Sequence, residues 1–340
     1  MVHSQLLQAF EGKNKTTPVW FMRQAGRFLP EYRAIREKYS LEEMFNNPQL
    51  AAEITCLPIK KLGVDAAILF ADILTLPSHL GFKIEFTNSY GPVIHNPIED
   101  PREKNLIRDF DDIPSIRAAI KETVKQLPAS IPLLGFAGAP FTVLCYLVEG
   151  ESSVNFSKTL KLAYGQPVDY HRLMTRLTES TIRYIKLQQE SGIKAFQLFD
   201  TWAGLLPASD YERLVLPYVR KIYLDIKLPS IYYVKNCRHL LNYMEFSMAN
   251  FLSVCNTADF ASDEFFKKTK CGIQGNLSNA TFYADKQTLK QETLRILKAA
   301  KKFEKYIFNL SHGLFPDTDV EKVKYVVELV HEFNHRPSGG

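Results

Sequence analysis

Eight short apolar runs, separated by longer stretches of helical spacing, set the terms on which this 340-residue chain can fold. They span 19–22, 66–70, 132–136, 195–199, 231–234, 251–254, 271–274 and 306–310. Each is brief and rich in β-branched or aromatic residues, the pattern of parallel strands buried on both faces. Between them lie helix signals. Asn47-Pro48 places a cap residue before a proline at the first helical position. Ser40-x-x-Glu43 and Thr318-x-x-Glu321 read as capping boxes, in which hydroxyl and carboxylate take up amides the helix leaves unpaired. Residues 167–191 and 209–227 have helical spacing throughout. Eight strand–helix alternations predict an α/β fold, a (β/α)8 TIM barrel, with 1–340 as a single domain. A doubly wound sheet fits less well, because no Gly-x-Gly-x-x-Gly follows the first strand and no Gly-Lys-Ser/Thr loop occurs. After the second strand, 82–87 and 92–94 alternate on either side of Asn88-Ser89-Tyr90-Gly91, which predicts a small antiparallel hairpin insertion.

Composition narrows the partners. Lys and Arg number 42 against 37 Asp and Glu, a surplus of +5. That is too small and too scattered for a nucleic-acid binder. No apolar run reaches the ~18 residues of a membrane span; the longest candidate, 65–76, carries Asp72 and stops at Pro77. Residues 1–17 lack a basic segment leading into an apolar core, so no secretory signal is expected. The five cysteines, Cys56, Cys145, Cys237, Cys255 and Cys271, are odd in number and unlike a disulfide framework. A reduced, cytoplasmic protein with no membrane partner is the expectation.

A parallel barrel carries its chemistry at the C-terminal ends of its strands. The first strand ends in Met22-Arg23-Gln24-Ala25-Gly26-Arg27, the second in Phe70-Ala71-Asp72, and the third in Gly135-Phe136-Ala137-Gly138-Ala139-Pro140, with Tyr146 shortly beyond. The fourth ends in Phe199-Asp200-Thr201-Trp202 and the eighth in Asn309-Leu310-Ser311-His312-Gly313. Two arginines, a carboxylate, hydroxyls and a histidine therefore converge on one rim. Arginine forks match carboxylates or phosphates bidentately, so the expected ligand is a polyanion. Phe70, Phe136 and Phe199 would add an apolar wall, which suits a large flat ligand with an acidic periphery better than a sugar phosphate.

Each of these residues also has a plainer reading. Asp72 or Thr201 could cap a following helix, His312 could be a satisfied loop histidine, and Tyr146 could be core. Arg27 could pair with Glu31 one helical turn on. Arg23 is harder to explain in that way, because it follows Met22 directly out of a buried strand.

The run from Pro18 to Arg27 resembles the first signature of the uroporphyrinogen decarboxylase family at nearly every fixed position. Gly135-Phe136-Ala137-Gly138-Ala139-Pro140-Phe141-Thr142, continuing to Tyr146 and Glu149-Gly150, resembles the second. Leu69-Phe70-Ala71-Asp72, Leu198-Phe199-Asp200-Thr201-Trp202, Gln274-Gly275-Asn276-Leu277 and His312-Gly313 fall in the order that family shows. The resemblance implies a homodimeric barrel of haem biosynthesis, a carboxy-lyase that removes the four acetate carboxyls of uroporphyrinogen to give coproporphyrinogen, with no metal or organic cofactor. It also implies that Asp72 faces the pyrrole N–H groups as the catalytic carboxylate. By the same resemblance Arg23, Gln24, Ala25, Gly26 and Arg27 contact substrate carboxylates, and Tyr146, Thr201 and His312 occupy further substrate positions. The chemistry agrees with those residue types: loss of carbon dioxide leaves electrons that a protonated pyrrole can accept, and a carboxylate beneath the ring stabilises the positive charge that develops. The residues leave the proton donor open, since guanidinium is a poor acid while histidine titrates in a useful range.

The later rim departs from that family's pattern at Lys235-Asn236-Cys237, Cys255-Asn256-Thr257, Ser278-Asn279 and Ser311. Two alternatives therefore stand beside the decarboxylase. Cys237, His239 and Cys255 raise a zinc-dependent methyltransferase on the same barrel, although structural and catalytic zinc sites require three or four converging ligands. The second alternative is a tetrapyrrole-binding homologue without catalysis.

Overall fold

The computed structural model describes residues 4–86 and 91–333. Seven strands form one parallel sheet in the order β1 (Ala67–Ile68), β4 (Leu133–Gly138), β5 (Ala195–Asp200), β6 (Ser230–Val234), β7 (Phe251–Ser253), β8 (Gly272–Gln274) and β9 (Tyr306–Ile307). A separate antiparallel pair, β2 (Ile84–Phe86) with β3 (Pro92–Ile94), follows β1 in the chain. Of its expected turn, residues 87–90 lie outside the described residues.

The expected first strand, 19–22, is present only as a single parallel bridge between Val19 and Phe308. Side chains explain why it goes no further. Phe308 N donates to the Pro18 carbonyl at 2.9 Å and Asp65 N to the Val19 carbonyl at 2.8 Å, so residues 18–19 span the gap between β9 and the approach to β1. Beyond that point other groups take up the backbone amides. The Asp65 carboxylate accepts from Val19 N, Gln24 Oε1 from Phe21 N, and Asn309 Oδ1 from Met22 N. Ladder pairing stops, and the chain is free to turn at the rim. With this segment in the eighth position the sheet curls into a (β/α)8 barrel.

Side chains alternate between the barrel interior and the helix-facing layer. Trp20, Met22, Ala66, Leu134, Ala195, Ile231, Tyr233, Phe251 and Ile307 pack together inside, with Leu6 and Ala9 of the short helix Gln5–Ala9 closing one end. Phe10 caps this plug, its ring edge-on to Phe251 at 4.7 Å. A polar layer crosses the interior: Trp20 Nε1 donates to Gln274 Oε1, and Gln274 Nε2 donates to Gln197 Oε1 and Ser253 Oγ. Outside, Val19, Leu69, Leu133, Phe196, Leu198, Tyr232, Leu252 and Phe308 pack into the helices.

The helix Pro167–Ser191 matches its expected span. The stretch 209–227 does not remain whole. It forms Ala208–Leu214 and Leu216–Asp225, broken at Val215, because Pro217 enters the second helix with no N–H to donate. The capping box at Ser40 and Glu43 is complete, and Asn47 caps Pro48–Leu62. At the last helix the cap is Asp319, one residue beyond the expected Thr318, whose buried hydroxyl has no partner. Among the described residues no helix is long and apolar enough to cross a membrane.

Candidate active site

Arg23 leaves the barrel interior on a left-handed backbone, φ 61°, where the chain turns across the rim. Its side chain lies flush against Gly313: a β-carbon built on that glycine would stand 2.4 Å from Arg23 Cδ. Gly26 closes the same turn beneath the Arg23 carbonyl. Arg23 and Arg27 are both exposed, and neither forms an ion pair among the described residues. Glu31, the expected surface partner of Arg27, pairs instead with Lys61. Two guanidinium groups thus remain available to an anionic ligand.

Asp72 stands just beyond β1. Its Oδ1 accepts from Leu74 N at 2.8 Å, while its own N–H donates to Thr75 Oγ1. The helix that follows, Thr75–His79, has Leu74 at its N-cap position and no side-chain cap, so Asp72 is not its capping residue, and its side chain lines the rim cavity. Burial pushes its carboxyl above the usual range, opposed by the Leu74 amide and by the charge of Arg23.

The cavity has a volume of about 440 Å³. Arg23, Ala25, Gly26, Arg27, Phe70, Asp72, Phe136, Tyr146, Phe199, Thr201 and His312 all line it. The three aromatic residues expected as a wall all face this cavity: Phe136 and Phe199 meet edge-to-face at 5.6 Å, and Phe70 packs on Tyr32 and Phe45. Tyr146 projects from Pro140–Glu149 with its ring braced by Phe156 and Trp202, and burial raises its phenol. Thr201 caps no helix. The neighbouring Trp202 amide is taken instead by Thr142 Oγ1, which also donates to Asp200.

Gln24 is the exception. It was expected among the substrate contacts, yet it is fully buried, accepting from Phe21 N and donating to the Ala66 carbonyl at 2.9 Å. It holds the arginine loop from beneath and does not line the cavity.

His312 is half-buried in the cavity lining, next to the Gly313 on which Arg23 lies. Burial, then the nearby charges of Arg23 and Lys235, push its ring down to about 4, so it is neutral at physiological pH. Its Nδ1 lies 2.8 Å from the Tyr233 hydroxyl. Tyr233 itself was missed in the sequence, as were Tyr32, Leu41, Phe45 and Phe86, all of which line the cavity. For Tyr233 the signal was strand parity: Ile231 points inward, so Tyr233 two residues on does too. The others come from outside the barrel strands, where no local pattern marks them.

The cysteine cluster does not assemble with its histidine. Cys237 and Cys255 are buried with sulfurs 3.5 Å apart, but His239 Nε2 bonds to the Leu206 carbonyl. Among the described residues no group of three or more His, Cys, Asp or Glu side chains is placed to hold a metal ion.

The arrangement gives two free guanidinium forks, one raised carboxyl, a neutral imidazole and an aromatic lining around one hollow of the size that holds small-molecule ligands, about 300–1,000 Å³. Comparison with known proteins agrees with that chemistry. Residues 2–333 match the family model described as Uroporphyrinogen decarboxylase (URO-D). The uroporphyrinogen decarboxylase of Thermus thermophilus is 40% identical over 342 residues, covering 98% of each chain. That of Carboxydothermus hydrogenoformans is 39% identical over 324 residues, covering 94% of this chain and 93% of its own. Among solved structures, a methyltransferase from Methanosarcina mazei superposes with a TM-score of 0.81 at 18% identity, over 97% of this chain and 98% of that one. This last likeness is one of fold.

Proposed function

The chain belongs to the uroporphyrinogen decarboxylase family, and on that premise we propose that it is a carboxy-lyase that converts uroporphyrinogen to coproporphyrinogen in haem biosynthesis. The observation that carries the reading is the sharing of one cavity by Arg23, Arg27 and Asp72 within an aromatic lining. The macrocycle lies against Phe70, Phe136 and Phe199. Arg23 and Arg27 hold its peripheral carboxylates by charge-assisted hydrogen bonds, and Tyr146, Thr201 and His312 add polar contacts along the same hollow.

Each turnover breaks the bond between an acetate methylene and its carboxylate, releases carbon dioxide and consumes one proton to leave a methyl group. The intermediate positive charge sits on a protonated pyrrole whose N–H groups meet Asp72. A carboxylate already fixed by the Leu74 amide stabilises that charge without reorganising. Desolvation raises Asp72, and cationic pyrrole N–H donors act in the opposite sense, favouring its ionised form when it is needed. His312, neutral at pH 7, is no reservoir of protons in the free enzyme, and Arg23 is a poor acid. The working enzyme is a homodimer in the cytoplasm, without metal or organic cofactor.

The test is an anaerobic incubation of the purified protein with uroporphyrinogen and a chelator, followed by chromatography. Coproporphyrinogen is the expected product. Binding without product identifies the non-catalytic homologue, and stoichiometric zinc in the purified protein that is lost in Cys237→Ser identifies the zinc enzyme; either result overturns the proposal.

A further inference from the structure

The Tyr233 hydroxyl sits between two partners, His312 Nδ1 at 2.8 Å and the Ser311 carbonyl at 3.2 Å. The tyrosine and histidine rings lie nearly parallel, 13° apart with centroids at 6.2 Å, and Phe199 backs the tyrosine edge-on at 5.7 Å. Tyr233 is almost fully buried, so the pair is held by packing and not by chance contact.

A phenol has one proton to give, and a carbonyl can only accept. If the proton goes to Ser311, the histidine must donate from Nδ1 and its Nε2 is left as a bare lone pair. If it goes to Nδ1, the histidine carries its own proton on Nε2. The 2.8 Å contact is a hydrogen bond in either arrangement, so the ligand's chemistry decides for the second, since carboxylates repel a lone pair and accept from an N–H. A charged ring would satisfy both nitrogens, but Arg23 and Lys235 already place positive charge beside it.

We propose that Tyr233 is a positioning residue that fixes His312 as the neutral Nε2–H tautomer, so that the ring offers a single donor to a carboxylate of the substrate. The inference rests on the decarboxylase reading for the identity of that carboxylate, but the tautomer itself is a property of the free protein. A contact to a carboxylate remote from the breaking bond is present in ground and transition states alike, so its loss raises KM more than it lowers kcat.

The experiment is a ¹⁵N spectrum of histidine-labelled full-length protein at neutral pH without substrate, with the His312 signals identified by their loss in His312→Gln. The expected spectrum shows His312 protonated at Nε2 alone. In Tyr233→Phe that preference relaxes to a mixture of tautomers, and KM rises about three- to tenfold, the worth of one hydrogen bond. A wild-type ring protonated at Nδ1 or at both nitrogens overturns the proposal, as does an unchanged tautomer or KM in Tyr233→Phe. Should Tyr233→Phe fail to fold, the wild-type spectrum decides. A correct tautomer without any coproporphyrinogen formed would refute the decarboxylase reading alone, whereas a wrong tautomer with normal turnover would refute only the role of Tyr233.

Discussion

Gly313→Ala isolates the placement of Arg23 from the arginine itself. The new β-carbon would lie 2.4 Å from Arg23 Cδ, 2.6 Å from Cγ and 3.1 Å from Cβ. Three contacts along the stem cannot be relieved by bending the tip, so the side chain must swing from its base. The loop cannot yield instead, because Met22 N is held by Asn309 and Leu314 N by the Met22 carbonyl. Gly313 itself lies outside the left-handed region, so alanine suits its backbone, and Arg23 is exposed enough to move. Folding stability should therefore change little. Affinity should fall by the worth of a hydrogen bond to a charged group, about 1.5–3 kcal/mol, or about ten- to a hundredfold in Kd for an octacarboxylate porphyrin. Arg23→Ala should lose at least as much. In the double variant the two severe contacts, with Cδ and Cγ, are gone and only the 3.1 Å approach to Cβ remains, so its loss should equal that of Arg23→Ala alone. Gly165→Ala, whose β-carbon would meet no atom within 4 Å, is the control and should bind normally. Wild-type affinity in Gly313→Ala, or additive losses in the double variant, would refute the reasoning.

Three further outcomes follow from buried or paired titratable groups. Asp200 is fully buried and its carboxyl is pushed from 3.8 up to about 6 by burial, with Thr142 and Tyr232 opposing. Its ionisation therefore costs the folded state nothing below about pH 4 and roughly 3 kcal/mol above about pH 6. Chemical denaturation of Asp200→Asn should show stability gained relative to the wild type across that window; a pH-independent difference would contradict the assignment. His331 donates to the Asp65 carboxylate, which raises its ring above the ordinary 6.5 against the pull of burial. The raised value means the contact stabilises the fold fully below the unfolded histidine range and is lost as pH rises through the folded value. The stability deficit of His331→Gln should therefore shrink on the alkaline side, as read by denaturation at paired pH values. Finally, the raised Asp72 should set an acid limb in kcat/KM above the usual carboxylate range, visible in a pH–rate profile; a limb at ordinary carboxylate pH would count against it.

How far the sequence could be read depended on where each residue's partners lie. Strands buried on both faces announce themselves locally, and Leu133–Gly138 and Ala195–Asp200 appear within two residues of their expected ends. Arg23, Asp72 and His312 were legible because a parallel barrel leaves few reasons for polar side chains directly beyond an apolar strand. The first strand was overestimated because apolar character does not reveal that Gln24 and Asn309, 285 positions apart in numbering, intercept its amides. The same blindness placed Gln24 in the substrate site: its neighbours in the motif face the cavity, and only the Ala66 carbonyl shows which way it turns. Phe45 and Phe86 join the lining from beyond the barrel strands, through tertiary packing on Phe70 and on each other. The helix break at Val215 and the cap shift to Asp319 were errors of local chemistry, where a proline and a better acceptor lay one or two residues away.

The role of Asp72 bears the whole account. Asp72→Asn keeps the shape of the side chain and its acceptor toward Leu74 N while removing the charge. Measured side by side, octacarboxylate porphyrin binding should stay within about tenfold of the wild type, while carbon dioxide release from uroporphyrinogen should fall by about two to three orders of magnitude, the scale on which loss of one preorganised electrostatic contact is felt. Wild-type release of carbon dioxide from that variant would contradict the account at its centre.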